Sequence, residues 1–104
     1  MVKISVTYTR PSVSVPWHFE VVDMSAVNAL GASPAWADKH QGKSTAEFLA
    51  ASAGTTLVSD VVWASQADFD AFKATAENQA YEAARDAYNA ANGITSTALS
   101  YTEV

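Results

Sequence analysis

A regular alternation of apolar and polar side chains predicts the first strand of this chain. Positions 2, 4, 6 and 8 hold valine, isoleucine, valine and tyrosine, and the positions between them hold lysine, serine and threonine. A period of two is typical of a strand that buries one face and leaves the other in water. Arg10-Pro11 ends the pattern, because the proline ring removes a backbone donor and restricts the residue before it.

The alternation resumes after the first strand, and this second stretch contains a proline. Apolar residues occupy every second position from 13 to 21, and Pro16 lies among them. Proline is tolerated in a sheet only at an edge or a bulge, so the stretch is either an edge strand or an extended arm laid over the core. We favour the arm, over about residues 10–22.

The middle of the chain is predicted to contain an interrupted helix followed by a hairpin. Asp23 or Ser25 can cap a helix that Gly31 stops, so residues 24–41 are expected to form a broken helix. Residues 44–52 and 55–64 are strand-like on either side of Ala53-Gly54, which is typical of a hairpin.

A long helix and a final strand are predicted to complete the chain. Ser65 and Asp68 resemble a capping box, a helical pattern of about 27 residues follows, and Asn92-Gly93 ends it. Residues 94–102 then return as a threonine-rich strand. Steps of three and four predict one stripe of the helix that covers the sheet, formed by Phe69, Phe72, Ala76, Ala80, Ala84, Tyr88 and Ala91.

The order of these elements predicts the fold class. Strand, helix, strand, strand, helix, strand is the split β-α-β order of ferredoxin-like folds. We therefore expect an α+β protein, a ferredoxin-like βαββαβ sandwich whose antiparallel sheet is covered by helices on one face. We expect the 104 residues to form one domain, residues 1–104, which is large enough to bury a core without disulfides or structural metal ions.

Composition excludes several classes of function. The chain has no cysteine, which excludes disulfides, thiolate metal sites and cysteine nucleophiles. Its net charge is -5, and nucleic-acid binding is not expected because the six basic residues are scattered. No apolar run is long enough for a membrane span or a secretion signal, so we expect neither. The basic residues are Lys3, Arg10, Lys39, Lys43, Lys73 and Arg85.

The second half of the chain resembles the dimeric α+β barrel superfamily. In that superfamily a strand ending in Trp-x-Ser leads into a helix with aromatic residues at the next two inward positions, a pattern matched here by Trp63, Ser65, Phe69 and Phe72. The resemblance rests on the segment Val62-Trp63-Ala64-Ser65-Gln66-Ala67-Asp68-Phe69-Asp70-Ala71-Phe72. It implies a homodimer, and it makes a monooxygenase the obvious enzyme.

The haem-degrading monooxygenases of that superfamily do not fit this sequence. They need an Asn on the first strand and a Trp and a His on the last helix. The corresponding positions here are Thr7-Tyr8-Thr9, Phe72 and Tyr81-Glu82, so no haem ligand is available on the helix and no cofactor is expected.

A second resemblance is to short structural proteins of tailed bacteriophages. It rests on Thr9-Arg10-Pro11 near the start of the chain and on Ala84-Arg85-Asp86-Ala87-Tyr88-Asn89-Ala90-Ala91-Asn92-Gly93-Ile94 near its end. The resemblance implies a virion component at the head surface, neck or tail, made in the host cytoplasm. No functional residue is carried over from it.

Neither a metal site nor a catalytic group is predicted. His18 with Glu20, and Asp38 with His40, are the two pairs with ligand chemistry, but no spacing brings three or four ligands together. Asp68 and Asp70 lie in the first turn of a helix, where a negative charge favours the helix dipole. We therefore expect no metal, no catalytic residues and no enzyme activity.

Two hypotheses of function follow from these observations. The first is a non-enzymatic virion protein that associates with itself and with another structural protein, without contacting nucleic acid or membrane. Its candidate partner contacts are Arg10, Val13, Val15, Trp17, Phe19 and Trp36, although core burial is the favoured interpretation of both tryptophans. The alternative is a dimeric-barrel enzyme or small-molecule binding protein with a pocket lined by Tyr8, Trp63, Phe69 and Phe72.

Overall fold

Four strands in one antiparallel sheet and five helices form the part of the chain that the computed structural model describes, residues 1–30 and 45–104. The strands are β1 (Val2–Thr9), β2 (Thr56–Trp63), β3 (Thr95–Ser96) and β4 (Ser100–Glu103). The helices are α1 (His18–Val21), α2 (Ser25–Asn28), α3 (Thr45–Ala51), α4 (Gln66–Lys73) and α5 (Ala76–Asn92). The predicted α+β class and antiparallel sheet are confirmed.

Strand β1 lies at the centre of the sheet. It pairs with β2 over its whole length, from Val2 opposite Trp63 to Thr9 opposite Thr56. On its other side it pairs with β3 and then with β4. The predicted final strand is therefore present in two pieces. Thr97 lies between them, and its hydroxyl accepts a hydrogen bond from the backbone N–H of Thr7 at 3.0 Å.

The core lies on one face of the sheet, as the alternation predicts. The even positions of β1 and the odd positions of β2 point to the same side, toward the helices. Two clusters of buried side chains form there, at opposite ends of β1. One contains Val2, Ile4, Trp63 and Phe69, and the other contains Tyr8, Trp17, Leu57 and Ile94.

The predicted hairpin around Ala53-Gly54 is wrong, because residues 45–51 are helical. Helix α3 reads Thr-Ala-Glu-Phe-Leu-Ala-Ala, in which alanine, glutamate and leucine are strong helix formers. The Ser52 hydroxyl donates to the carbonyl oxygen of Phe48 at 3.0 Å, just beyond the last helical residue. The strand-like spacing of residues 44–52 was too short to outweigh this composition, and the βαββαβ order is not observed among the described residues.

The segment predicted to be an extended arm is only partly extended. Residues 18–21 form α1, a single turn of helix. A hydrogen bond from the Trp17 backbone N–H to Glu20 Oε2 at 2.6 Å stabilises it. Trp17 lies in the second core cluster, and Val15 and Phe19 pack against it. The segment therefore lies over the core, as expected. The prediction that it is extended throughout is wrong, because residues 18–21 are helical.

The single long helix predicted after Ser65 is two helices. Ser65 Oγ accepts from the Asp68 backbone N–H at 3.1 Å, which confirms the predicted cap of α4. Thr75 then breaks the helix: its hydroxyl donates to the Phe72 carbonyl at 2.7 Å and accepts from the Asn78 backbone N–H at 3.2 Å, capping α5. Gly93 ends α5 with a φ of 72°, the left-handed conformation predicted for it.

The break at Thr75 shifts the phase of α5, so the alanines of the predicted stripe do not face the sheet, whereas Tyr88 does pack against the second core cluster. The alanines at positions 76, 80, 84 and 91 are exposed. The face that α5 turns inward is mostly polar instead, and its residues include Asn78, Tyr81, Arg85 and Asn89.

The short helix predicted at Ser25 is present as α2, and Asp23 Oδ1 accepts from the Ser25 backbone N–H at 2.9 Å. The rest of the predicted broken helix, with Trp36, Asp38 and His40, lies outside the described residues. Within residues 1–30 and 45–104, no helix is both long and apolar enough to cross a membrane.

Candidate ligand-binding cavity

A cavity of about 630 Å³ lies between the sheet and the helices. Its walls include Tyr8, Trp63, Phe69 and Phe72, the four residues that the sequence predicts for a pocket at this place. The inward face of both long strands forms its floor. The predicted pocket is therefore present in the structure.

One end of the cavity is apolar and aromatic. The ring centroid of Trp63 lies 5.6 Å from that of Phe69 and 5.1 Å from that of Phe72. Ile4 and Val61 extend this surface along the floor. These tilted and edge-to-face contacts hold the aromatic side chains in fixed orientations, so this end offers a firm apolar surface.

The other end of the cavity carries polar side chains from β1, α1 and α5. Tyr8 and His18 are buried, and their ring centroids are 4.5 Å apart. The Arg85 guanidinium carbon lies 5.9 Å from the centre of the Tyr81 ring, and Arg85 Nε donates to Asp86 Oδ1 at 3.1 Å. Phenol, imidazole and guanidinium groups thus meet at one wall.

Burial sets the protonation states of this wall. It lowers the pKa of His18 to about 4, with a further lowering by the Arg85 charge. It raises the pKa of Tyr81 to about 12 and that of Tyr8 in the same direction, against the opposing effect of Arg85. At neutral pH the imidazole is therefore uncharged and both phenols keep their protons.

The arginine keeps its charge. Burial alone lowers the pKa of Arg85, but the nearby Tyr8, Asp86 and Glu82 outweigh it, and the net shift is upward. The polar wall therefore combines one permanent positive charge with two phenol donors and a neutral imidazole.

Of the predicted partner contacts, Arg10 and Trp17 are buried and bonded within the chain. The Arg10 guanidinium donates to the carbonyl oxygens of Gly54, Val15 and Ala53 at 2.8, 2.7 and 3.0 Å. It also lies 4.4 Å above the centre of the Trp17 ring. The structure uses both side chains to fix residues 53–54 against the arm.

The remaining partner candidates differ in exposure. Val13 is 66% exposed at the start of the arm. Val15 and Phe19 are partly buried against the second core cluster. Trp36 lies outside the described residues. Val13 is thus the one described candidate whose side chain is mostly in solvent.

No group of three or more potential metal ligands occurs in the described part of the chain. His18 and Glu20 do not converge, because His18 is buried in the cavity wall and Glu20 is exposed. Asp68 and Asp70 are both exposed in α4, and Asp68 lies in its first turn, where the helix dipole favours a negative charge.

Sequence reasoning missed the residues that α5 contributes to the cavity wall. Asn78, Tyr81 and Arg85 are spaced by three and four residues, which places them on one helical face. That spacing was available from the sequence, but a polar stripe is normally assigned to solvent.

The chain was compared with protein family models, with curated proteins and with solved structures, and none of the three comparisons finds a match. We therefore infer function from the geometry of the cavity and from the residues around it.

Proposed function

We propose that this protein binds a small, mainly apolar molecule in the cavity between the sheet and the helices. The observation that carries the proposal is the cavity itself, whose volume of about 630 Å³ falls within the range of about 300–1,000 Å³ of small-molecule sites. Aromatic side chains at one end and a few convergent polar groups at the other are the usual composition of such sites.

We propose that the protein binds this molecule without converting it chemically. A general base is normally oriented by a second hydrogen-bonded group. His18 is the neutral base of the wall, yet its Nδ1 is buried and has no hydrogen-bond partner among the described residues. This geometry supports recognition by shape and hydrogen bonding.

We also propose that the sheet of this protein is related to the sheet of ferredoxin-like folds. In the described sheet the C-terminal strand, the first strand and the strand before the last helices are antiparallel neighbours, in the order β4, β1, β2. We propose that these are three of the four strands of a ferredoxin-like sheet, and that helix α3 takes the place of the remaining strand.

Two matched variants on one strand test the binding function. Val61 and Val62 are neighbours on β2 and both are partly buried, but only Val61 points into the cavity. Val61→Trp should fill the apolar end, whereas Val62→Trp adds the same side chain on the opposite face. We expect the neutral fluorophore N-phenyl-1-naphthylamine to bind the wild type and Val62→Trp alike, and Val61→Trp at least about tenfold more weakly, a difference of about 1.4 kcal/mol.

Fluorescence titration of the full chain measures these affinities, and circular dichroism verifies that each variant is folded. Equal binding by Val61→Trp and Val62→Trp would place the probe elsewhere and contradict the proposal. The same holds if the wild type fails to bind the probe at all.

A structural role in a phage virion is the second candidate function. It is supported by the resemblance described above and by exposed apolar side chains on the arm, Val13 at 66% and Val21 at 53%. We propose self-association and contact with another virion protein through this surface. Density-gradient fractionation of the native source tests it: the chain should sediment with particles, and its recovery only in the soluble fraction would contradict the role.

A further inference from the structure

A ligand that contacts both ends of the cavity must span the distance between them. Ile4 lies in the aromatic cluster and Tyr8 in the polar wall, four residues apart on one face of β1. At about 3.3 Å per residue this separation is about 13 Å. A ligand that uses both ends is therefore elongated, with an apolar end and a polar end.

Arg85 supplies the charged hydrogen-bond donor at the polar end. Its side chain is 22% exposed, and Asp86, through Nε, is its one carboxylate partner among the described residues. The Tyr8 side chain also hydrogen-bonds with Arg85, and the terminal nitrogens Nη1 and Nη2 are paired with no carboxylate in that part of the chain. Guanidinium groups bind carboxylates through two parallel hydrogen bonds, so a planar anion placed beside Tyr8 matches these terminal nitrogens.

The neighbouring groups favour an oxygen acceptor at the same place. At neutral pH the Tyr8 and Tyr81 hydroxyls keep their protons and can donate. His18 is 6% exposed, and its ring lines the cavity beside Tyr8.

Two acidic residues at this end, Glu82 and Asp86, oppose an anion, but Asp86 is more exposed than Arg85. The Asp86 side chain is 69% exposed and Glu82 is partly exposed. Water and salt screen charges at such positions, while the more buried Arg85 is screened less.

We propose, resting on the binding function above, that the ligand is an elongated monocarboxylate whose charged end lies against Arg85 and Tyr8 and whose apolar end lies against Trp63 and Phe72. The carboxylate completes the pairing of the guanidinium. The apolar end supplies affinity by leaving water.

Three probes of equal length test the charge of the head group. They are 6-phenylhexanoate, its uncharged amide 6-phenylhexanamide, and the cation 6-phenylhexylamine, each titrated into the full chain by calorimetry. We expect the carboxylate to bind at least about tenfold more tightly than the amide, and the amide more tightly than the amine.

Two charge-matched variants then locate the preference. Arg85→Gln and Lys73→Gln each remove one positive charge from the cavity lining, but Lys73 follows Phe72 at the aromatic end. Arg85→Gln should bring the carboxylate and the amide to within about threefold of each other, whereas Lys73→Gln should keep the wild-type preference. Tyr8→Phe, which keeps the ring, should weaken the carboxylate by about threefold or more, as expected for one lost neutral donor.

The outcomes separate this inference from the binding function. Equal affinity for carboxylate and amide, or tighter binding of the amine, would overturn the inference and leave the cavity as a binding site. A preference that survives Arg85→Gln, or is lost in Lys73→Gln, would overturn the assignment to Arg85. Absence of binding by all three probes at millimolar concentration, together with no binding of N-phenyl-1-naphthylamine, would overturn both proposals.

Discussion

Arg10 is the residue whose conservative replacement should destabilise the fold most clearly. Its guanidinium makes three hydrogen bonds to backbone carbonyls, of Val15 on the arm and of Ala53 and Gly54 after α3. Its own backbone N–H donates to the Thr55 carbonyl at 2.9 Å. One side chain thus joins the end of β1, the arm and the turn before β2.

Arg10→Lys keeps the charge and removes the fork. An ammonium is a compact point charge on a flexible stem and cannot reach three carbonyls in different directions, so about two charge-assisted hydrogen bonds are lost, each worth about 1.5–3 kcal/mol. Gly54 and Ala53 are exposed, so water can replace part of what is lost. We therefore expect a loss of about 2–3 kcal/mol, a large share of the roughly 5–15 kcal/mol that stabilises a domain of this size.

Arg85→Lys is the matched control, since Arg10 and Arg85 are the two arginines of the chain. Among the described residues Arg85 pairs with one carboxylate, Asp86, which is mostly exposed, so the same replacement there should cost about 0.5 kcal/mol or less. In urea unfolding followed by circular dichroism, Arg10→Lys should lower the midpoint by about 1–2 M at a slope of about 1–3 kcal/mol/M. Equal midpoints for the two variants would refute the reasoning.

Two further predictions concern a turn and a buried histidine. Gly93→Ala should cost about 1 kcal/mol from its φ of 72° alone, because the nearest atom to the new Cβ is Pro11 Cγ at 3.6 Å, an ordinary contact. Gly54→Ala, whose new Cβ has no described atom within 4 Å, should leave the urea midpoint unchanged. Equal losses for the two variants would contradict the backbone argument. Burial holds the pKa of His18 at about 4, below its ordinary 6.5, so between these values the unfolded chain binds a proton that the folded chain does not. The free energy of unfolding should therefore be highest above pH 6.5 and fall by about 1.4 kcal/mol per pH unit from there toward pH 4. His18→Phe should flatten the dependence of the urea midpoint between pH 5 and 6.5, and a wild-type midpoint that stays constant there would contradict the assignment.

The elements that could be predicted from sequence are those in which a local pattern and the tertiary environment agree. The alternation in β1 and β2, the Ser65 cap and the Gly93 stop depend on neighbouring residues only, and each is observed. The lining of the cavity by Trp63 and Phe69 follows from the same strand phase and cap.

The errors arise where two local patterns compete. Residues 44–52 lie beside the turn signal Ala53-Gly54, which favours a hairpin strand, but residues 45–51 are rich in helix formers and the composition prevails. The helix after Ser65 continues in pattern through Thr75, but the threonine side chain bonds both to the helix before it and to the one after it. A break of this kind does not interrupt the spacing of apolar residues along the sequence. The face that α5 turns inward therefore could not be deduced from that spacing.

The inward polar face of α5 links the fold to the binding function. Its ends are held by the Thr75 cap and the Gly93 stop, and the Tyr88 hydroxyl donates to the carbonyl of Pro16 on the arm. These contacts fix the rotation of the helix, so its small alanines cannot turn toward the sheet and close the space. Helix α5 therefore contributes little apolar packing above the sheet, and a ligand that fills the cavity would supply it. Because a ligand that binds only the folded state raises its stability with concentration, we expect occupancy of the cavity and resistance to unfolding to rise together.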